Sequence, residues 1–391
     1  MQTYIDARKY PGASVLIRRG GREVYYHECG ARNVEAGLPW TRDTVARIYS
    51  MTKPVTTVAA MMLFERGLFP LDAPLSDILP AFSDMHALVP GAERIDQVEP
   101  VACPTLHQLM VHTSGLSYSF NPGPLGDEMA RLKLDFDARQ GQLADMTDRV
   151  AKLPLAFRPG TRWEYSVSID VLGRVVEVLA DQDLDAFFRD NIFNPLGMSK
   201  TAFSVPRDTG DRLAALYTPN AGNAMTLTGA EKGANSLRLS DAPEGSPFLD
   251  TQMYSGGGGL VGTIDDYMAF AETLRLQGAS GGERILGPKT LDFMMRNHLP
   301  GDIASMGPSS FAEQPMDGMG FGLGGAVVLD PARARTPGSV GDFSWGGMAS
   351  TFFWVDRTLD LSVVFFTQLS PSSSYSSRAE LKALVHGAIL A

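Results

Sequence analysis

A hydroxyl and an amine stand three residues apart in Ser50-Met51-Thr52-Lys53. On a helix that spacing sets both side chains on one face. A neutral lysine so placed can take the serine proton, and the serine can then attack a carbonyl. The following residues support a helix. Val55, Val58, Ala59, Met62 and Leu63 recur at helical period, and Gly67 fits a C-terminal stop. Pro54 is tolerated only near a first turn, so Ser50 is expected at the N-terminal end, where the helix dipole favours developing negative charge. Taken alone, S-x-x-K is a weak signal. A capping serine followed by a solvated lysine is its blander reading.

Two further segments carry candidate chemistry. Trp163-Glu164-Tyr165-Ser166-Val167-Ser168 follows Arg158-Pro159-Gly160 and precedes a helical pattern. Its tyrosine is either a packed aromatic with a bonded hydroxyl or a proton-transfer group. Ser344-Trp345-Gly346-Gly347-Met348 precedes a strand pattern, and its paired glycines admit a close approach by another backbone or a ligand.

Elements that position these segments can be read from patterning. Ala13 to Arg18 and Glu23 to His27 form a hairpin signal, and Ser350 to Val355 with Leu361 to Thr367 form a second. Each hairpin alone is marginal, so both are expected in one antiparallel sheet. Helices are expected over Leu106 to His112, Leu143 to Leu153, Ile169 to Leu179, Leu184 to Asn191, Asp266 to Leu276, Pro288 to Asn297 and Arg378 to Leu390. The 391 residues, 44% hydrophobic and 20% charged, suffice for a sizeable core in one large or two medium domains. A net charge of −10 argues against nucleic acid or an anionic membrane as partner. Cys29 and Cys103 are isolated, and the histidines are scattered, so neither a disulfide framework nor a metal site is expected. Met1 to Tyr10 lacks the apolar core of a signal peptide, and no run is long enough to span a bilayer. A cytoplasmic location is the expectation, with a removed signal left open.

In this order the motifs resemble the serine beta-lactamase and penicillin-binding protein superfamily, with class C beta-lactamases and family VIII carboxylesterases the nearest likeness. Pro11-Gly12-Ala13, His112-Thr113-Ser114-Gly115-Leu116, Pro195-Leu196-Gly197-Met198 and Gly256-Gly257-Gly258-Gly259-Leu260 extend it over nearly the whole chain. The resemblance implies an α+β fold: an antiparallel sheet flanked by helices, plus an inserted mostly helical domain. Residues 1–65 and 205–391 would form a discontinuous α/β domain and 66–204 the helical one, with the active site in the cleft between them. It also implies roles. Ser50 is the acyl-accepting nucleophile, Lys53 activates it, and Tyr165 shares the proton network. The backbone N–H groups of Ser50 and Met348 form the oxyanion hole, and Trp345, Gly346 and Gly347 form one cleft wall.

Departures from the lactamases are informative. Their Tyr-x-Asn is Tyr165-Ser166-Val167 here, with Ser168 a partial replacement for the missing amide. Their third motif begins with a cation, and this one begins with Trp345, whose indole supplies no charge. Both changes favour uncharged short-chain esters over beta-lactams. A beta-lactamase, D-amino-acid peptidase, amidase or acyltransferase on the same scaffold is the alternative, and a non-catalytic binding protein is a third reading. No cofactor is expected, and the expected partner is a small-molecule ester. Tyr118 to Asp127 is expected to border the cleft, with Phe120 shaping acyl preference. Gly278-Ala279-Ser280-Gly281-Gly282 satisfies G-x-S-x-G but lacks a strand before it and a helix after it, so it reads as a surface turn. His112 reads as a packing or turn residue.

Overall fold

A computed structural model describes residues 1–135, 141–219, 237–280 and 282–389. Eight strands form the main sheet: β1 (Gly12–Arg19), β2 (Arg22–Asn33), β3 (Leu38–Pro39), β4 (Met319–Phe321), β5 (Ala326–Val328), β6 (Phe343–Gly346), β7 (Phe352–Asp356) and β8 (Leu361–Thr367). Their spatial order is β4-β5-β6-β7-β8-β1-β2-β3, and every pairing is antiparallel. The two hairpins expected at the chain ends meet in this sheet. Ala13 opposes Thr367 and Arg19 opposes Leu361 across β1 and β8.

The sequence of β8, Leu-Ser-Val-Val-Phe-Phe-Thr, does not alternate because both faces of the strand are buried. Val364 and Phe366 pack into the main core, and Val363 and Phe365 into a second core on the opposite face. The second core joins Tyr10, Phe352 and Trp354 to Val385 of the C-terminal helix.

Six helices matter to the site: α1 (Thr52–Glu65), α2 (Leu106–Met110), α3 (Leu143–Val150), α4 (Ser168–Ala180), α5 (Ile264–Arg275) and α6 (Ser377–Gly387). The expected end of α6 at Leu390 lies outside the described residues. The segment expected as a helix to Asn191 is α-helical over Leu184–Phe188 and then widens into a π-type turn over Arg189–Phe193. Helix α5 covers the sheet on the face of the main core, and α1 packs along α4. The apolar stripe expected on α1 is broader than a stripe. Every residue from Thr52 to Leu63 is buried, because α1 runs through the core instead of along its surface. Among the described residues no helix is long and apolar enough to cross a membrane. Ala279–Ser280 and Glu283–Arg284 pair as a two-residue hairpin, so the G-x-S-x-G segment has no strand-to-helix elbow; its Gly281 lies outside the described residues.

Candidate active site

Ser50 lies in a 3-10 turn, Tyr49–Met51, that leads directly into α1. Tyr49 adopts a left-handed conformation, φ 42°, unusual for a residue with a side chain and costly by roughly 1–3 kcal/mol. Surrounding contacts fix the turn. Tyr267 donates its hydroxyl to the Met51 carbonyl (2.9 Å), Leu260 N–H donates to Thr52 Oγ1 (3.2 Å), and Ile48 N–H donates to the Leu260 carbonyl (3.1 Å).

One turn on, Lys53 is fully buried. Its Nζ stands 3.3 Å from Ser50 Oγ, 3.0 Å from the Tyr118 hydroxyl and 2.7 Å from the Gly257 carbonyl. The solvated-lysine reading is thereby excluded.

Gly257 is held from behind by α4. Its N–H donates to Asp170 Oδ1 (3.0 Å), and Ser255 Oγ donates to the same oxygen. A Cβ on Gly257 would come within 2.2 Å of Asp170 Oδ2, and one on Gly256 within 2.7 Å of the Ile169 carbonyl. Gly256 and Gly257 are therefore required by the space left beside α1 and α4. Burial raises the Asp170 carboxyl above its ordinary range, against the opposing pull of the Lys53 charge. Burial also pushes the Tyr118 phenol well above its usual value, and the Asp170 charge adds to the push, so Tyr118 is protonated at neutral pH.

Tyr165 sits on the same wall, in contact through its ring. Lys53 Nζ lies 4.5 Å from the Tyr165 ring centroid, and the buried Tyr165 hydroxyl has no hydrogen-bond partner among the described residues. Tyr118, at 5.3 Å between ring centroids, stands beside it and carries Phe120 stacked on its outer face at 5.0 Å. Trp345 packs on Tyr165 (5.5 Å), Phe311 (6.1 Å, interplanar angle 12°) and Phe321 (5.2 Å). All of these rings except Phe321 wall a cavity of about 630 Å³ that Ser50, Gly346, Gly347 and Met348 also line.

The paired glycines of the third motif admit the close approaches their sequence allows. A Cβ on Gly347 would lie 2.2 Å from the Ile48 carbonyl oxygen and 2.5 Å from Thr351 Oγ1. The end of β6 is thus pressed against the backbone that leads into Ser50. Gly347 N–H donates to the Thr351 carbonyl (2.8 Å), and the Met348 N–H has no acceptor among the described residues.

Two expectations need correction. Ser168 does not line the cavity. It is fully buried in the first turn of α4, where its hydroxyl bonds Ser114 Oγ and Ser166 Oγ, each at 2.7 Å. The chain of hydroxyls ends on His112 Nδ1, 3.2 Å from Ser166 Oγ, so Ser168 secures the loop before α4. The direct phenol partner of Lys53 is Tyr118, which the sequence offered only as the edge of a cleft-bordering segment. Asp170 was also missed. Its signal was a carboxylate inside the apolar run Ile169-Asp170-Val171-Leu172. His112 is buried and packs on Trp163, Tyr165 and Phe321, as a packing residue should.

A family model described as Beta-lactamase matches residues 1–387. Esterase EstB of Burkholderia gladioli is 35% identical over 367 residues, covering 92% of this chain and 86% of that protein. Lovastatin esterase of Penicillium rubens is 30% identical over 377 residues, covering 92% of this chain and 89% of that protein. Among solved structures, EstCE1, described as a hydrolase with promiscuous acyltransferase activity, superposes with a TM-score of 0.78 at 32% identity, covering 97% of this chain and 94% of that one.

Proposed function

Because the chain belongs to the beta-lactamase family and is a serine hydrolase of its esterase-like branch, we propose that it is a carboxylesterase. In this reading it hydrolyses short-chain, uncharged esters through an acyl-Ser50 intermediate. The observation that carries the reading is the Lys53 amine at 3.3 Å from Ser50 Oγ on the wall of an aromatic-lined cavity. A neutral Lys53 satisfies all three of its contacts. One N–H goes to the Gly257 carbonyl, another to the Tyr118 oxygen, and the lone pair accepts the Ser50 hydroxyl.

As Ser50 Oγ bonds to the ester carbonyl carbon, its proton passes to Lys53 Nζ. The N–H groups of Ser50 and Met348 are assigned to the resulting oxyanion, a contribution typically worth about 3 kcal/mol each. Collapse breaks the bond to the alcohol oxygen, which leaves with a proton returned through the Lys53 network. Tyr165, with its hydroxyl unpartnered at the cavity wall, is assigned to orient the leaving alcohol and then the attacking water, whose oxygen bonds to the acyl carbon as its proton passes to Lys53 Nζ; the bond to Ser50 Oγ then breaks, Lys53 returns the proton to Ser50, and the acid leaves. The site lies in this reading between the sheet-bearing part, residues 1–65 and 205–391, and the mostly helical part, 66–204. Trp345 and the neighbouring rings favour an uncharged acyl or alcohol group.

A side-by-side assay on p-nitrophenyl acetate, p-nitrophenyl octanoate and nitrocefin tests the proposal, with Ser50→Ala as control. Ester turnover that is lost in the variant, with little nitrocefin cleavage, is the expected result. Full ester turnover by Ser50→Ala would overturn it, and efficient nitrocefin cleavage would promote the lactamase reading. Acyl transfer to an alcohol is the second reading. It is favoured by a cavity with room for an acceptor beside an acyl chain, and by the description of EstCE1. Ester product formed when an alcohol is added, at the expense of free acid, would establish it.

A further inference from the structure

The hairpin Ser310–Phe311 with Gln314–Pro315 turns at Ala312 and Glu313, both in the left-handed region (φ 44° and 61°). Phe311, Ala312 and Gln314 line the catalytic cavity. Glu313, at the tip, is buried, with its side chain 8% exposed, and Oε1 lies 3.2 Å from Arg378 Nε. Arg378, in the first turn of α6, lines the same cavity. Its guanidinium lies flat against Gly346: a Cβ there would meet Nη2 at 2.5 Å, Cζ at 2.6 Å and Nη1 at 2.9 Å. The first glycine of the third motif thus makes room for a cation on the cleft wall.

The pairing is energetically expensive. Neither Glu313 oxygen accepts an aligned hydrogen bond among the described residues, and burial pushes the carboxyl up to about 7 despite Arg378. A buried carboxylate held by one charge contact repays little of its desolvation. Lys382, another cation of the cavity lining, differs. It is bonded at 2.7 Å to Asp342, which is fully buried immediately before β6. The partner of Arg378 alone is carried by a hairpin that itself forms part of the cavity.

We propose that Arg378 is a carboxylate-recognising subsite of this cleft and that Glu313 occupies it, so that Glu313 sets the selectivity for neutral over carboxylate-bearing esters. The inference rests on the ester reading above. A guanidinium presents a fork suited to a planar carboxylate, and the Glu313 carboxylate already lies against it from within the chain, through one contact at Nε. An acid-bearing ester must displace it, whereas a neutral ester need not.

Calorimetric binding of monoethyl glutarate and of diethyl glutarate tests this in a Ser50→Ala background, where nothing turns over. Removing Glu313 should raise the affinity ratio of acid over neutral ligand about tenfold, the scale of one charged hydrogen bond. Glu313→Gln does this with little change of shape. Glu313→Gly does it at a left-handed position that glycine favours, which guards against a misfolded variant. Adding Arg378→Gln to either variant should return the ratio to its starting value. A ratio that moves less than about twofold in both variants, or a gain that survives Arg378→Gln, overturns the proposal; a contact that merely latches the hairpin would be indifferent to ligand charge. Ester hydrolysis by the parent chain is measured separately. Its absence would sink the acyl-Ser50 reading while the binding ratio still decides this one.

Discussion

The Lys53 amine lies 3.0 Å from the Tyr118 hydroxyl, while it meets Tyr165 only at its ring face, 4.5 Å from the centroid. Two phenols therefore flank one amine in different ways. Tyr118 is part of the resting hydrogen-bond network, and its raised pKa keeps it a neutral phenol that can donate or accept without becoming the base. Tyr165 holds a buried hydroxyl with nothing to bond, an arrangement that costs stability and that active sites commonly retain for use during turnover.

The two phenylalanine variants should separate these roles. Tyr118→Phe removes a bond Lys53 already makes and is expected to lower kcat by about a hundredfold. Tyr165→Phe removes an unpaired buried hydroxyl. It is expected to leave the thermal midpoint unchanged or raised while kcat falls at least about tenfold. Steady-state kinetics and thermal unfolding on the same preparations check both. Normal turnover by Tyr165→Phe would remove that residue from the mechanism.

Gly347 couples the third motif to the nucleophile turn. In Gly347→Ala the new methyl would clash with the Ile48 carbonyl, whose contact distance of 2.2 Å cannot be met without moving backbone. The end of β6, with Met348, must then shift away from Ser50. The assigned oxyanion pair would open, and kcat should fall by about 10²–10³ with a smaller change in KM. A variant with near-normal kcat would show that Met348 need not be held so closely.

Much of this framework was legible in the sequence. Apolar or alternating runs joined by turns signalled both terminal hairpins, and the marginal stability of each alone placed them in one sheet. Ser50 and Lys53 were legible because three-residue spacing is a local property of a helix. Tyr118, Asp170 and the Glu313–Arg378 contact were not, for a common reason. Each is brought to the site by the path of a loop or by packing between distant elements, which leaves no periodic trace. Ser168 was misplaced for the same reason. Its neighbourhood is set by the Ser114 loop folding over α4, and this turns its hydroxyl away from the cavity.

Asp170 reaches Lys53 through the Gly257 peptide, accepting its N–H while Lys53 donates to its carbonyl. It is a positioning residue in this arrangement. Asp170→Asn keeps an acceptor for Gly257 but removes the charge, and kcat should fall about tenfold as the peptide loosens. The loss should fall on kcat with KM little changed and the thermal midpoint kept. A purely structural role would instead lower the thermal midpoint together with activity.

Glu313 makes a prediction about stability that its role in selectivity does not. Its carboxyl is raised from 4.5 to about 7 by burial, and Arg378 only partly opposes the shift. Below pH 4.5 the group is protonated in both folded and unfolded chains and costs nothing. Above pH 7 it is ionised in both, and the folded chain bears a penalty of about 3 kcal/mol. Stability contributed by the protonated form is therefore lost as pH rises through this window. Other buried carboxylates, such as Asp170 and Asp342, are shifted in the same direction, so the native chain alone cannot isolate the effect. The comparison with Glu313→Gln does, because those groups are common to both proteins. Burial raises the Tyr10 phenol further above this range, so it does not titrate between pH 4.5 and 7. The stability of the native chain relative to Glu313→Gln, read from urea midpoints, should therefore drop by about 3 kcal/mol between pH 4.5 and 7.5. A difference that stays flat across that range would mean that Glu313 is solvated in solution and does not hold its place against Arg378.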